Sequence, residues 1–120
     1  MATVLIVDDD PHTRRLVVAA LAGRGHRVLE AGDGDAGLAL IRDERPDVVL
    51  LDVQLPGLDG AEVCRRVKAD PALGGTRVVV LTADSPTAAQ RLADAAGADA
   101  SLTKPFSPAH LLDLVERQAG

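Results

Sequence analysis

Val4-Leu5-Ile6-Val7-Asp8-Asp9-Asp10 and Val48-Val49-Leu50-Leu51-Asp52 decide how this chain is read. Each is a short unbroken apolar run, the pattern of a strand buried on both faces. Each ends in acid. Strands of one sheet that end this way concentrate negative charge at a single edge. Like charges placed close together cost free energy and push one pKa upward. Such a cluster makes sense where it holds a divalent cation or where one carboxylate acts as a nucleophile. Both readings apply here.

Outward from these runs the chain alternates strands with amphipathic segments. Strands are expected at 3–7, 27–31, 48–51, 77–81 and 98–102. Leu16, Val17, Ala20 and Leu21 share one helical face, as do Gly37, Leu38 and Ile41. Val63 with Val67, Leu92 with Ala96, and Leu111 and Leu112 with Val115 repeat the pattern. Five βα units in succession give an α/β fold, a parallel sheet with helices on both faces. Asp10-Pro11, Ser85-Pro86 and Ser107-Pro108 each put a capping side chain before a proline at the first helical position. Asp33 and Asp59 are suited to cap the second and third helices. Gly23, Gly25, Gly74, Gly75 and Gly97 mark helix exits.

At 120 residues the chain holds one domain, 1–120, and is too short for two. A hydrophobic content of 47% is enough for a real core. Phe106 is the only aromatic ring, so that core must be Val, Leu, Ile and Ala. A net charge of −5 argues against nucleic acid as a direct partner. Cys64 is alone, which excludes a disulfide framework or thiolate metal cluster and reads as a buried small side chain. No apolar stretch nears the roughly 20 residues that span a bilayer, and no signal-peptide pattern opens the chain. The expected location is the cytoplasm, with no membrane partner. His12, His26 and His110 are scattered and read as surface or helix-end residues. No output domain is expected after the fifth helix.

In a doubly wound sheet the site lies beyond the carboxyl ends of the strands, where strand order reverses. Asp8, Asp9 and Asp52 stand at two such ends. Thr82 ends the fourth strand and Lys104 follows the fifth. Acids, a hydroxyl and an ammonium at four strand ends fit phosphoryl chemistry. The acids would hold Mg²⁺, which prefers oxygen ligands. The metal and Lys104 would neutralise phosphoryl oxygens, and Thr82 would donate a hydrogen bond to them. An aspartate carboxylate can attack phosphorus to form an acyl phosphate.

The chain resembles the receiver domains of two-component response regulators along its whole length. The resemblance rests on Val7-Asp8-Asp9-Asp10, on Leu51-Asp52-Val53-Gln54-Leu55-Pro56-Gly57-Leu58-Asp59-Gly60, on Thr82-Ala83, on Gly97-Ala98-Asp99 and on Lys104-Pro105-Phe106. It implies a flavodoxin-like doubly wound five-stranded parallel sheet in order 2-1-3-4-5, with five helices. It implies that Asp52 takes a phosphoryl group from a phosphohistidine of a sensor histidine kinase or phosphotransfer protein. The domain would catalyse that transfer itself, later hydrolyse the product, and act on no separate substrate as an enzyme. Asp9, Asp52 and the carbonyl of Gln54 would ligate Mg²⁺ directly, with Asp8 acting through water. Lys104 would pair with the phosphoryl group, Thr82 would move to bond it, and the Lys104–Pro105 peptide would be cis. A downstream target protein or effector domain would read the phosphorylated surface.

One position departs from the family. Three residues before the lysine its members usually carry Tyr or Phe, whose rotation reports phosphorylation; here Ser101 stands there. Transcription-factor relatives dimerise through the fourth helix, fifth strand and fifth helix by charge pairs. Ala100, Ser101, His110 and an exposed Leu114 are expected on that face instead, so the domain is expected to stay monomeric.

Two other readings compete. Gly32-Asp33-Gly34-Asp35-Ala36-Gly37 matches the G-x-G-x-x-G of a dinucleotide-binding domain. However, it follows the second strand, two acids would repel a pyrophosphate, and Asp8, Asp9, Thr82 and Lys104 have no task. A small Mg²⁺-dependent phosphohydrolase would usually carry an acid two residues after its nucleophile, where this chain has Gln54.

Overall fold

The computed structural model describes residues 1–120. The order is β1 (Thr3–Val7), α1 (Pro11–Ala22), β2 (Arg27–Ala31), α2 (Gly34–Glu44), β3 (Val48–Asp52), α3 (Gly60–Ala69), a 3₁₀ turn (Pro71–Leu73), β4 (Arg77–Thr82), α4 (Pro86–Ala96), β5 (Ala100–Thr103) and α5 (Pro108–Ala119). The strands form one parallel sheet in the order β2-β1-β3-β4-β5. No helix is long and apolar enough to cross a membrane.

Side chains of a strand alternate between faces. Val4 and Ile6 of β1, with Val48 and Leu50 of β3, enter the core under α1 and α5. Leu5 and Val7, with Val49 and Leu51, enter the core under α2 and α3. This double burial is why the strands read as unbroken apolar runs. All five helix caps fall where the sequence puts them: Asp10, Asp33, Asp59, Ser85 and Ser107 each accept a backbone N–H of the following turn. Cys64 is buried, and its Sγ lies 3.4 Å from the Ala96 carbonyl oxygen. Burial pushes its thiol up to about 11.

Four expectations need correction. The fifth strand starts at Ala100, not at 98. Gly97 leaves α4 in the left-handed region, and the Ala98 N–H still bonds the Ala93 carbonyl as part of the helix exit. Leu16 is exposed although it was placed on the buried face of α1. Val17 and Leu21 make the packing contact, and Leu16 sits one step round the helix beside a hollow lined by Pro105 and Phe106. Leu114 is not on the surface; it joins the core with Leu111 and Val115. The His26 side chain is only 7% exposed: Nδ1 accepts the Ala2 N–H at 3.1 Å, and Nε2 lies 3.4 Å from Glu116.

Asp99 joins three elements just before β5. It accepts the Val78 N–H at 2.8 Å and pairs with Lys68 and with Arg77. Burial pushes its carboxyl up, but the Lys68 and Val78 hydrogen bonds and the two cations outweigh that and hold it below the ordinary aspartate value. A depressed folded-state pKa contributes stability above the unfolded value, near 3.9, that is lost as pH falls through the folded value. We expect Asp99→Asn to cost about 1–2 kcal/mol at pH 7. Urea melts should show this gap narrowing as pH falls below the unfolded value and closing once pH is under the lowered folded one; a gap that persists in acid would remove the Asp99 charge from the account.

Candidate functional site

The carboxyl edge collects the side chains marked in the sequence. Parallel strands all end on the same side, so Asp8 after β1, Asp52 at the end of β3, Thr82 at the end of β4 and Lys104 after β5 share one crevice. Register sets Asp52 opposite Leu81, leaving Thr82 one residue further out. Asp8 and Asp52 are buried and Asp9 is exposed; carboxylate oxygens of the three lie within 4.8 Å of one another.

Lys104 Nζ stands between the two buried acids, 2.6 Å from Asp8 Oδ2 and 3.0 Å from Asp52 Oδ2. The remaining Asp8 oxygen accepts the Asp10 N–H at 2.9 Å, and that of Asp52 accepts the Gln54 N–H at 3.0 Å. Burial pushes the Asp52 carboxyl above the ordinary aspartate value, against the pull of Lys104 and of the Gln54 N–H. Burial alone would lower the Lys104 pKa; its hydrogen bonds and charge pairing with Asp8 and Asp52 win and hold it above the ordinary lysine value. Thr82 Oγ1 accepts the Asp84 N–H at 3.2 Å, which leaves its own proton free to donate. The Lys104–Pro105 peptide is cis.

The donor set suits a hard cation. Three carboxylates and nearby backbone carbonyls are oxygen ligands, and the exposure of Asp9 leaves room for water, which Mg²⁺ retains. Neither a thiolate nor an imidazole belongs to the group.

The sequence reading does not pick out Arg14, which also reaches this edge. Its Nη1 donates to the Asp8 carbonyl oxygen at 2.7 Å. A cation in the first turn of a helix, against the helix dipole, is the signal that could have found it.

The glycine-rich stretch before α2 forms no phosphate cradle. Asp33 is spent as the helix cap, and a Cβ on Gly34 would lie 1.7 Å from the Leu58 carbonyl oxygen. The Leu58 backbone of the loop between β3 and α3 occupies the place at Gly34, and the open hollow of about 480 Å³ beside it is lined by Asp33 and Asp35, whose charges would repel a phosphate. This removes the dinucleotide reading.

The response regulator receiver domain family matches residues 4–116. The chain belongs to this family. It is 41% identical over 109 residues to the DNA-binding response regulator MtrA of Mycolicibacterium smegmatis, an alignment covering 91% of this chain and 46% of that protein. The chain thus spans about half the length of that relative. It is 37% identical over 115 residues to Protein PilH of Pseudomonas aeruginosa, covering 96% of this chain and 95% of that one. A putative response regulator structure from Chloroflexus aurantiacus superposes with a TM-score of 0.92 at 36% identity, covering 98% of this chain and 97% of that one. Five parallel strands in the order 2-1-3-4-5 with five helices are the arrangement that the resemblance implied.

The loop carrying Gln54 to Asp59 is held against the site by Gly60. Its N–H bonds the Val53 carbonyl at 3.2 Å, and a Cβ there would lie 2.0 Å from the Asp52 carbonyl oxygen. That contact is backbone, which cannot swing aside. Gly60→Ala should therefore destabilise the fold by about 3 kcal/mol or more, as read from urea melts. A loss under about 1 kcal/mol would show that α3 can withdraw from the strand end without penalty.

Proposed function

We propose that the domain accepts a phosphoryl group on Asp52 and serves as a phosphorylation-dependent signalling switch. The observation that carries this reading is the Lys104 ammonium held between Asp8 and Asp52. It places a cation beside a buried, more basic carboxylate at the topological switch point. The donor is the phosphohistidine of a sensor histidine kinase or phosphotransfer protein, and we place the transfer in the cytoplasm.

An Asp52 carboxylate oxygen attacks phosphorus. The new O–P bond forms as the N–P bond to the donor imidazole breaks, and the nitrogen leaves with the electron pair. Lys104, displaced from its carboxylate pairing, neutralises one phosphoryl oxygen, and the Thr82 hydroxyl donates to another. Asp9, Asp52 and the Gln54 carbonyl would hold Mg²⁺, with Asp8 acting through water. When bound, the ion supplies charge neutralisation for the transferred group. Water later cleaves the acyl phosphate and restores the carboxylate. The site thus works on its own side chain, and no turnover of a separate substrate is proposed.

A small acyl-phosphate donor with Mg²⁺ should suffice without a kinase. Intact-mass spectrometry should then show one added phosphoryl group, abolished by Asp52→Asn and by excess chelator. The same ion should stabilise the fold by about 2.7 kcal/mol at 100 times its Kd, and less in Asp9→Asn. Labelling that survives in Asp52→Asn would sink the assignment.

The phosphorylated face is read by a downstream target protein or effector domain. Near β5 it offers a hollow of about 340 Å³ lined in part by Pro86, Ser101, Phe106 and His110. Leu114 is buried, so it offers that face no apolar side chain for a dimer seam. The beryllofluoride-bound domain should remain monomeric at micromolar concentration by light scattering; a clean shift to dimer mass would overturn this.

A further inference from the structure

Arg14 breaks a local rule. Helix N-termini favour acids and disfavour cations, and α2 and α3 comply with Asp35 and Glu62 in their first turns. The first turn of α1 holds no acid and ends in Arg14. Sites where a chain departs from local preference without obvious need are often functional.

The geometry shows what the departure provides. Helical side chains lean toward the N-terminus, so Arg14 reaches back over the end of β1. Its Nη1 donates to the Asp8 carbonyl oxygen at 2.7 Å, and its Nε donates to Glu30 Oε1 of β2 at 3.3 Å. The Asp8 N–H is itself bonded to the Ala31 carbonyl at 3.1 Å. The Asp8 backbone is therefore clamped from both sides. Its carbonyl belongs to the peptide that joins Asp8 to Asp9, and fixing that plane sets the direction in which Asp9 departs. Asp8 and Asp52 are further aimed by Lys104 and by backbone N–H groups. Asp9 is exposed and depends on its backbone for direction.

We propose that Arg14 is a positioning residue for the cation site: its guanidinium fork, braced by Glu30, fixes the Asp8–Asp9 peptide and so aims the Asp9 carboxylate into the acid cluster. The proposal rests on the phosphoacceptor reading for the identity of the cation, Mg²⁺. Simple electrostatics gives the opposite sign. A guanidinium beside three carboxylates competes with a metal ion, so removing it would tighten binding if Arg14 acted only as a charge. Lysine keeps the charge but lacks the planar fork.

The test is Mg²⁺ titration by calorimetry on the wild type, Arg14→Lys, Arg14→Gln and Glu30→Gln, with metal-free melting curves on each. Loss of a group that orients a ligand typically weakens metal affinity by about 10-fold or more. Both Arg14 variants should show that loss, and Glu30→Gln, at a more exposed position, a smaller loss in the same direction. A merely stabilising Arg14 would move the melting temperature and leave the affinity of the folded protein alone. Unchanged or tighter Mg²⁺ binding in the folded variants, or full rescue by lysine, overturns the proposal. If an Arg14 variant fails to fold, Glu30→Gln decides it by the same criterion. A wild type that takes up no Mg²⁺ overturns the phosphoacceptor reading and this one with it; a wild type that binds, with variants that match it, overturns this one alone.

Discussion

The Lys104 ammonium lies within hydrogen-bond reach of both Asp8 and Asp52, and the charge balance of the sheet's carboxyl edge turns on it. Two buried carboxylates with no cation between them would each pay desolvation and repel the other. One ammonium offsets both effects and ties together residues 96 and 52 positions apart in the chain. It also sets the character of Asp52. Burial makes that carboxyl more basic, while Lys104 favours its charged form. On the proposed reading, this balance would keep Asp52 charged and more basic than an exposed aspartate, as an attacking carboxylate requires.

That balance depends on strand ends that do not move. A parallel sheet covered by helices on both faces fixes the last residue of each strand through packing on two sides. The loops carry the remaining freedom, and the one after β3 is pinned by the bare backbone of Gly60 against Asp52. The site is thus assembled from rigid ends plus one restrained loop. The resemblance read from the sequence fits this, since its motifs lie mainly at the strand ends and in the loop after Asp52.

Much of this was legible in the sequence because the informative residues obey local rules. Runs such as Val4 to Val7 have the length and composition of doubly buried strands, and Asp10-Pro11 or Ser107-Pro108 carry the capping pattern of helix starts. Asp8, Asp9, Asp52, Thr82 and Lys104 follow once the strands are placed, since a parallel sheet brings its carboxyl ends together. The misses share a different cause. Leu16 and Leu114 lie on helices whose rotation is decided by which neighbour they pack against, and apolar spacing alone does not fix that angle. The His26 side chain is covered because Ala2, just before β1, and the last turn of α5 close over it, a contact between distant segments. Ala98 keeps bonding α4 past the point where its β-strand pattern begins. Arg14 is in the same class: its charge looks solvated until the strand end beneath it is seen.

The helix α4 is held to the sheet differently from its neighbours. Its buried contacts are Ala89, Ala93 and Ala96, whereas α1 buries Val17 and Leu21 and α5 buries Leu111, Leu114 and Val115. A methyl group removes little apolar area from water, and hydrophobic stabilisation scales with that area. The free energy needed to lift α4 off the sheet is therefore the smallest of these three. Amide protection against hydrogen exchange follows such local opening. Of α1, α4 and α5, the backbone amides of α4 are therefore expected to exchange first, and α4 is the helix that follows the Thr82 strand end.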